Sequence, residues 1–211
     1  MIIGTNTVSL ILSGCVLLLS AQAAGANADP APSRSEPPSD EWTVEQVAAS
    51  LKEGREPSVL FEEETYSSLL TKPIVARGVL RFTPPSRLEK DVLEPSRERY
   101  VVEGDLVTFE SERKQVKRTI SLNDYPALRG FVEAFRAGVT GDAALLMRHY
   151  ETALSGNRRQ WLLQLRPRDP AGKAMLDSIQ FSGSEGRIGS ITIRLPDGDR
   201  SVLRLLRGPA P

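Results

Sequence analysis

Apolar runs joined by short turns, two mid-chain stretches of helical spacing, and no alternation of strand with helix predict a mostly β, α+β fold. The expected architecture is a single curved antiparallel sheet with short helices laid over it. The 211 residues suffice for one domain with a substantial core, and 40% hydrophobic against 26% charged residues places the chain among globular rather than disordered proteins.

The elements follow in chain order. No Lys, Arg, Asp or Glu precedes Asp29, and the apolar run 8–19 leads into Ala21-Gln22-Ala23 and Ala26-Asn27-Ala28. An apolar core ahead of A-x-A reads as a secretory signal peptide over residues 1–28, cleaved after Ala23 or Ala28. The run is shorter than the ~20 residues a membrane-spanning helix needs. Leu12-Ser13-Gly14-Cys15 has the form of a lipobox, but the apolar run continues to Leu19, which disfavours lipid anchoring at Cys15. Residues 29–40 carry Pro30, Pro32, Pro37 and Pro38 and read as a flexible Pro/Ser-rich linker. The folded domain is expected over 41–208.

Val44, Val47, Ala48 and Leu51 lie at helical spacing, with Gly54 as a stop. Val59, Phe61 and Tyr66 mark a first strand. Within Glu62-Glu63-Glu64 the middle side chain faces away from the other two, and a solvated strand is expected. Residues 74–82 form a β-branched, alternating strand ended by Pro84-Pro85, and 88–93 return as the next. Tyr100-Val101-Val102 and Leu106-Val107-Thr108-Phe109 flank Glu103-Gly104-Asp105, a turn of hairpin length, and 116–122 add a further strand. Leu128, Phe131, Val132 and Phe135 then define one face of a helix that should stop near Gly138. A second helix starts at Gly141-Asp142, with Leu145, Leu146, Tyr150 and Leu154 as its apolar side. Strands resume at 161–165, 178–181, 188–195 and 202–206, separated by turns at 182–186 and 196–199. Nine or ten strands in one sheet tend to curl or close, and the helical pair offers a cover for the concave face.

Charge and chemistry narrow the function. The 27 basic residues balance 27 acidic ones, which argues against a nucleic-acid partner. One histidine, His149, and one cysteine, Cys15, are too few for the usual zinc sites. No G-x-S-x-G accompanies His149, so catalysis and a cofactor are not expected. The basic pairs Arg113-Lys114, Lys117-Arg118 and Arg158-Arg159 could meet anionic head groups or a transporter, but surface solubility explains them equally well.

Several segments, taken in series, carry a resemblance. They are Phe61-Glu62-Glu63, then Gly78-Val79-Leu80-Arg81-Phe82-Thr83-Pro84-Pro85-Ser86-Arg87-Leu88, Glu94-Pro95, and Tyr100-Val101-Val102-Glu103-Gly104-Asp105. Near the end comes Asp197-Gly198-Asp199-Arg200-Ser201-Val202-Leu203-Arg204-Leu205. Behind a signal peptide and around a helical interruption, this series resembles the LolA-type periplasmic carriers of outer-membrane lipoproteins. The resemblance implies an unclosed antiparallel β-barrel capped by helices, with an apolar cavity for acyl chains. It further implies a periplasmic location, and an acyl-bearing lipid, glycolipid or lipoprotein as cargo. An inner-membrane lipid-export transporter would be the donor and an outer-membrane protein the acceptor. Two departures point to a cargo other than a lipoprotein, such as a glycolipid or polyene ester. The family sets a basic residue before the proline that ends the second strand, where this chain has Thr83. The segment Glu110-Ser111-Glu112-Arg113-Lys114-Gln115 is more charged than its aromatic-rich counterpart.

On this reading Leu80, Phe82, Leu88, Trp161, Leu163 and Leu165 line the cavity. Phe131, Phe135, Leu145, Leu146, Met147 and Tyr150 form the lid, although each of these residues would also suit an ordinary core. Hiding about ten methylenes from water is worth roughly 8 kcal/mol before ordering costs, with no catalytic group needed. Two alternatives stay open: a lipid-binding sensor on the same half-barrel, and a lipid-ester hydrolase using His149.

Overall fold

A computed structural model describes residues 42–53, 57–84 and 86–206. The signal-peptide, linker and Cys15 readings lie outside these residues. Six strands come first: β1 (Ser58–Tyr66), β2 (Ile74–Thr83), β3 (Arg87–Glu94), β4 (Glu98–Glu103), β5 (Leu106–Ser111) and β6 (Val116–Ser121). Five follow the helical interruption: β7 (Tyr150–Asn157), β8 (Gln160–Pro167), β9 (Ser178–Ser184), β10 (Arg187–Arg194) and β11 (Arg200–Leu206). Consecutive strands pair antiparallel on either side of the interruption, as short turns dictate, and β11 returns to pair with β1. The order is therefore β6-β5-β4-β3-β2-β1-β11-β10-β9-β8-β7, with β1 in the middle and the sheet unclosed between β6 and β7.

Four α-helices accompany the sheet among the described residues. Helix α1 (Val44–Glu53) precedes β1, and α4 (Pro170–Met175) joins β8 to β9. A 3-10 turn (Leu122–Asp124), α2 (Pro126–Thr140) and α3 (Ala143–His149) lead from one sheet edge to the other. Pro126 opens α2 at a position where a missing N–H costs nothing, and Gly141 closes it in the left-handed region at φ 74°. Asp142 then caps α3, its side chain accepting from the Leu145 N–H at 3.0 Å.

The structure departs from the sequence reading in four places. The sheet has eleven strands rather than nine or ten, because α3 ends at His149 and residues 150–157 form β7. Tyr150 and Leu154 thus belong to a strand, held by pairing with β8 from Tyr150–Pro167 to Asn157–Gln160. Helix α2 runs past Gly138 to Thr140. The turn at 182–186 shrinks to Glu185 and Gly186, both left-handed. Helix α4 was read as loop, yet Asp169 caps it by accepting from the Gly172 N–H at 2.8 Å.

Outward-facing side chains of β1–β4 form a ladder of ion pairs. Arg77 bridges Glu62 and Glu94, Arg81 and Arg99 share Asp91, and Arg99 and Arg87 share Glu89. Val79, flanked by Arg77 and Arg81 on this face, is only 1% exposed, so the stems of the charged side chains act as its cover.

Candidate functional site

Alternate residues of every strand face the concave side, and pairing sets them in rows across the sheet. One row runs Leu80, Lys90, Tyr100, Phe109, and the next runs Phe82, Leu88, Val102, Val107, Ile120. In the other half a row runs Leu163, Phe181, Ile191, Leu203 and ends on Glu63 of the central strand.

The two halves are filled differently. Over β8–β10 the wall is a solid core: Trp161, Leu163, Leu165, Ile179, Phe181 and Ile191 are each at most 2% exposed. Helix α1 seals it with Val47, Ala48 and Leu51, and α2 with Ala134 and Ala137. A void of about 10 Å³ remains there, bounded by Val47, Leu51, Gly138, Leu146, Leu163 and Phe181, room for roughly one water. Over β2–β6, by contrast, Leu80, Leu88, Val102 and Ile120 stay half-buried on the concave face. The accessible apolar wall lies in this half.

Helix α2 reaches both halves. Arg136 Nη2 donates to the Gly104 carbonyl at 2.7 Å, and Arg129 Nη2 lies 3.1 Å from Asp105 Oδ1, both acceptors in the β4–β5 turn. Burial pulls the Arg136 guanidinium below its ordinary pKa, opposed by Asp105 and Glu133. Both arginine Nε atoms are buried without a hydrogen-bond partner, a cost that the charged contacts must offset. Replacing both by Met should therefore free the helix from the turn at little expense in stability. Amide hydrogen exchange along α2 is expected to speed up by about tenfold, since a charge-assisted contact is worth about 1.5–3 kcal/mol. Unchanged exchange would mean that packing alone holds the helix.

The sequence-predicted residues divide between these regions. Leu80, Phe82 and Leu88 line the accessible half, whereas Trp161, Leu163 and Leu165 belong to the packed core. The Trp161 Nε1 is buried without a hydrogen-bond partner. Phe131 is buried and Phe135 half-buried on α2, their ring centroids 6.5 Å apart. On α3, Leu146 is buried while Leu145 and Met147 are half-buried. Tyr150 corrects the lid assignment: it opens β7 and is part of the wall. Burial, with the Asp169 and Glu133 carboxylates adding to it, raises its phenol pKa well above the ordinary value. His149 ends α3 half-exposed, with Glu133 Oε2 3.8 Å from its Nε2.

A polar group on this face escaped the sequence reading. Glu63 is 4% exposed rather than solvated: its Oε2 meets Lys90 Nζ at 2.5 Å, and its Oε1 accepts from Ser201 Oγ at 2.5 Å. Lys90 also lies over the rings of Phe61 and Tyr100, 5.4 and 5.9 Å from their centroids. The small β2 residues Ala76 and Gly78 sit between β1 and β3 here and leave the lysine stem room to cross. Strand alternation was the available signal: with Phe61 inward Glu63 follows, and with Leu88 and Val92 inward so does Lys90.

An open antiparallel half-barrel, strapped by a helix and keeping part of its apolar concave wall accessible, is the architecture of a protein that can shelter apolar material. The family described as outer membrane lipoprotein carrier protein LolA-like matches residues 37–210, and the chain belongs to that family. Curated proteins offer no sequence match. Among solved structures it is similar to a LolA superfamily protein from Nitrosomonas europaea, at 12% identity and TM-score 0.42, covering 81% of this chain and 96% of that one. It is also similar to the lipoprotein LppX of Mycobacterium tuberculosis, at 13% identity and TM-score 0.41, over 80% and 95%. A third similarity is to the MucA/MucB complex of Pseudomonas aeruginosa, at 12% identity and TM-score 0.39, over 80% of this chain and 58% of that chain. No helix among the described residues is long and apolar enough to cross a membrane.

Proposed function

We propose that the chain is a periplasmic carrier whose concave wall over β2–β6 shelters the acyl chain of a lipid or lipidated molecule beneath α2. It takes the cargo from an inner-membrane export system and passes it toward an outer-membrane acceptor. Membership of a carrier family supports this reading, but one observation carries it. The same concave surface is packed to a void of about 10 Å³ over β8–β10, yet leaves Leu80, Leu88, Val102 and Ile120 half-buried over β2–β6. Hydrocarbon laid against that wall gains about 0.8 kcal/mol for each methylene removed from water. No bond is made or broken, so the reading needs no catalytic residue.

Native mass spectrometry of protein purified from the periplasm tests it. The expected result is a co-purified acyl ligand, or uptake of the uncharged apolar dye N-phenyl-1-naphthylamine by protein stripped of ligand. A ligand-free protein that also refuses the dye would sink the carrier reading.

A further inference from the structure

We propose that Lys90 is the head-group contact of the acyl site, and that its pairing with Glu63 makes the site select an uncharged acyl ester over a fatty-acid anion. This rests on the carrier reading. Lys90 stands in the row between Leu80 and Tyr100, next to the row holding Leu88 and Val102, so it adjoins the accessible apolar wall. Its side chain is 21% exposed, against 5% for Glu63.

The two partners differ in what they have left to offer. Both carboxylate oxygens of Glu63 are engaged, one by Ser201 and one by Lys90. An ammonium has three N–H donors, and among the described residues Glu63 is the only oxygen partner of Lys90. The rings of Phe61 and Tyr100 stabilise its charge through their π faces but provide no oxygen acceptor. Spare donors therefore remain on the wall where the polar end of a bound chain would lie.

Charge decides which acceptor suits them. The Lys90–Glu63 pair is already neutral, and Glu98 on the same face meets Tyr100 Oη at 3.0 Å and Lys114 Nζ at 3.9 Å. A fatty-acid carboxylate would lose its hydration and stand beside Glu63 with no uncompensated cation to balance it. An ester carbonyl accepts the same N–H while bringing no charge.

The test compares two ligands with the same ten-carbon chain, 1-monodecanoylglycerol and decanoate, as displacers of N-phenyl-1-naphthylamine at about pH 8, where the acid is ionised. The wild type should prefer the ester. Glu63→Gln keeps the shape and leaves Lys90 uncompensated, so it should move the affinity ratio toward decanoate by about tenfold or more. Lys90→Met should weaken the ester by about tenfold while dye uptake persists. Where either single variant fails to fold, the double variant Glu63→Leu/Lys90→Met, which leaves no unpaired charge, should show the same loss of ester affinity. An unchanged ratio in Glu63→Gln, or ester affinity unchanged without Lys90, overturns this proposal while leaving the carrier reading standing. If neither ligand displaces the dye, or the dye is not taken up, the carrier reading itself fails.

Discussion

Leu80→Glu should abolish acyl uptake in a protein that stays folded, whereas Leu163→Glu should unfold it. Both positions lie on the concave face, and both exchange leucine for a carboxylate. Leu80 is half-buried and pairs across the sheet with Val59 and Lys90. A carboxylate there retains access to water and has an ammonium as its cross-strand neighbour, so the fold can accommodate it. It would also set a charge against the wall on which the chain is proposed to lie, and hydrocarbon beside an anion forfeits much of the gain from leaving water. Dye and monodecanoylglycerol affinity should fall by at least about tenfold, with the thermal transition still present. Leu163 is 2% exposed, pairs with Leu154 and Phe181, and borders the void under α1 and α2. An unpartnered carboxylate buried there costs several kcal/mol, a large part of the 5–15 kcal/mol that ordinarily separates folded from unfolded chains. Circular dichroism melting and dye titration of the two variants decide the matter. Leu80→Glu with undiminished uptake would place the chain elsewhere, and a folded Leu163→Glu would show the second half to be less tightly packed than it is described here.

That contrast was not legible in the sequence, and the reason is physical. Leu80 and Leu163 both sit in alternating strands, and alternation reports which face a residue takes, not how closely the opposite layer approaches. The face of α2 was readable because Leu128, Phe131, Val132 and Phe135 follow the helical period, and the β4–β5 hairpin because Gly104 can take the left-handed φ of 56° its turn requires. Strand β7 was misread because Tyr150 and Leu154 are spaced to suit a helix or, with Thr152, a strand. Only pairing with β8, a non-local contact, selects between them. The Glu63–Lys90 pair shows the same limit. Each residue faces inward by alternation, but the two are 27 residues apart, and the β2–β3 register that brings them together shifts at a bulge between Arg77 and Gly78. A carboxylate inside and a lysine inside were each visible; their meeting depended on tertiary register.

Gly138 is the sharpest instance, and it yields the other prediction of large effect. Its sequence position suggested a helix stop, yet α2 continues through it to Gly141. The missing side chain serves packing instead: a Cβ at residue 138 would lie 2.6 Å from Phe181 Cζ and 3.0 Å from Cε1. The ring cannot swing aside, because Phe181 is 1% exposed within the sheet. Gly138→Val should therefore lift α2 from β9 and cost about 3 kcal/mol, near the upper end of the usual range for overpacking. For a chain of this size that lowers the melting temperature by roughly 6–12 °C. Gly130 on the same helix supplies the control, since the nearest contact to an added Cβ there is the Tyr150 hydroxyl at 4.0 Å. Gly130→Ala should be neutral or gain up to about 1 kcal/mol from helix propensity alone. Trimming the ring with Phe181→Leu in the Gly138→Val background should recover part of the loss, because the atoms that clash are those removed. If Gly138→Val melts like the wild type, or if Phe181→Leu brings no recovery, then close seating of the helix on that ring is not what fills this half of the barrel, and the division of the concave face into a packed half and an accessible half loses its cause.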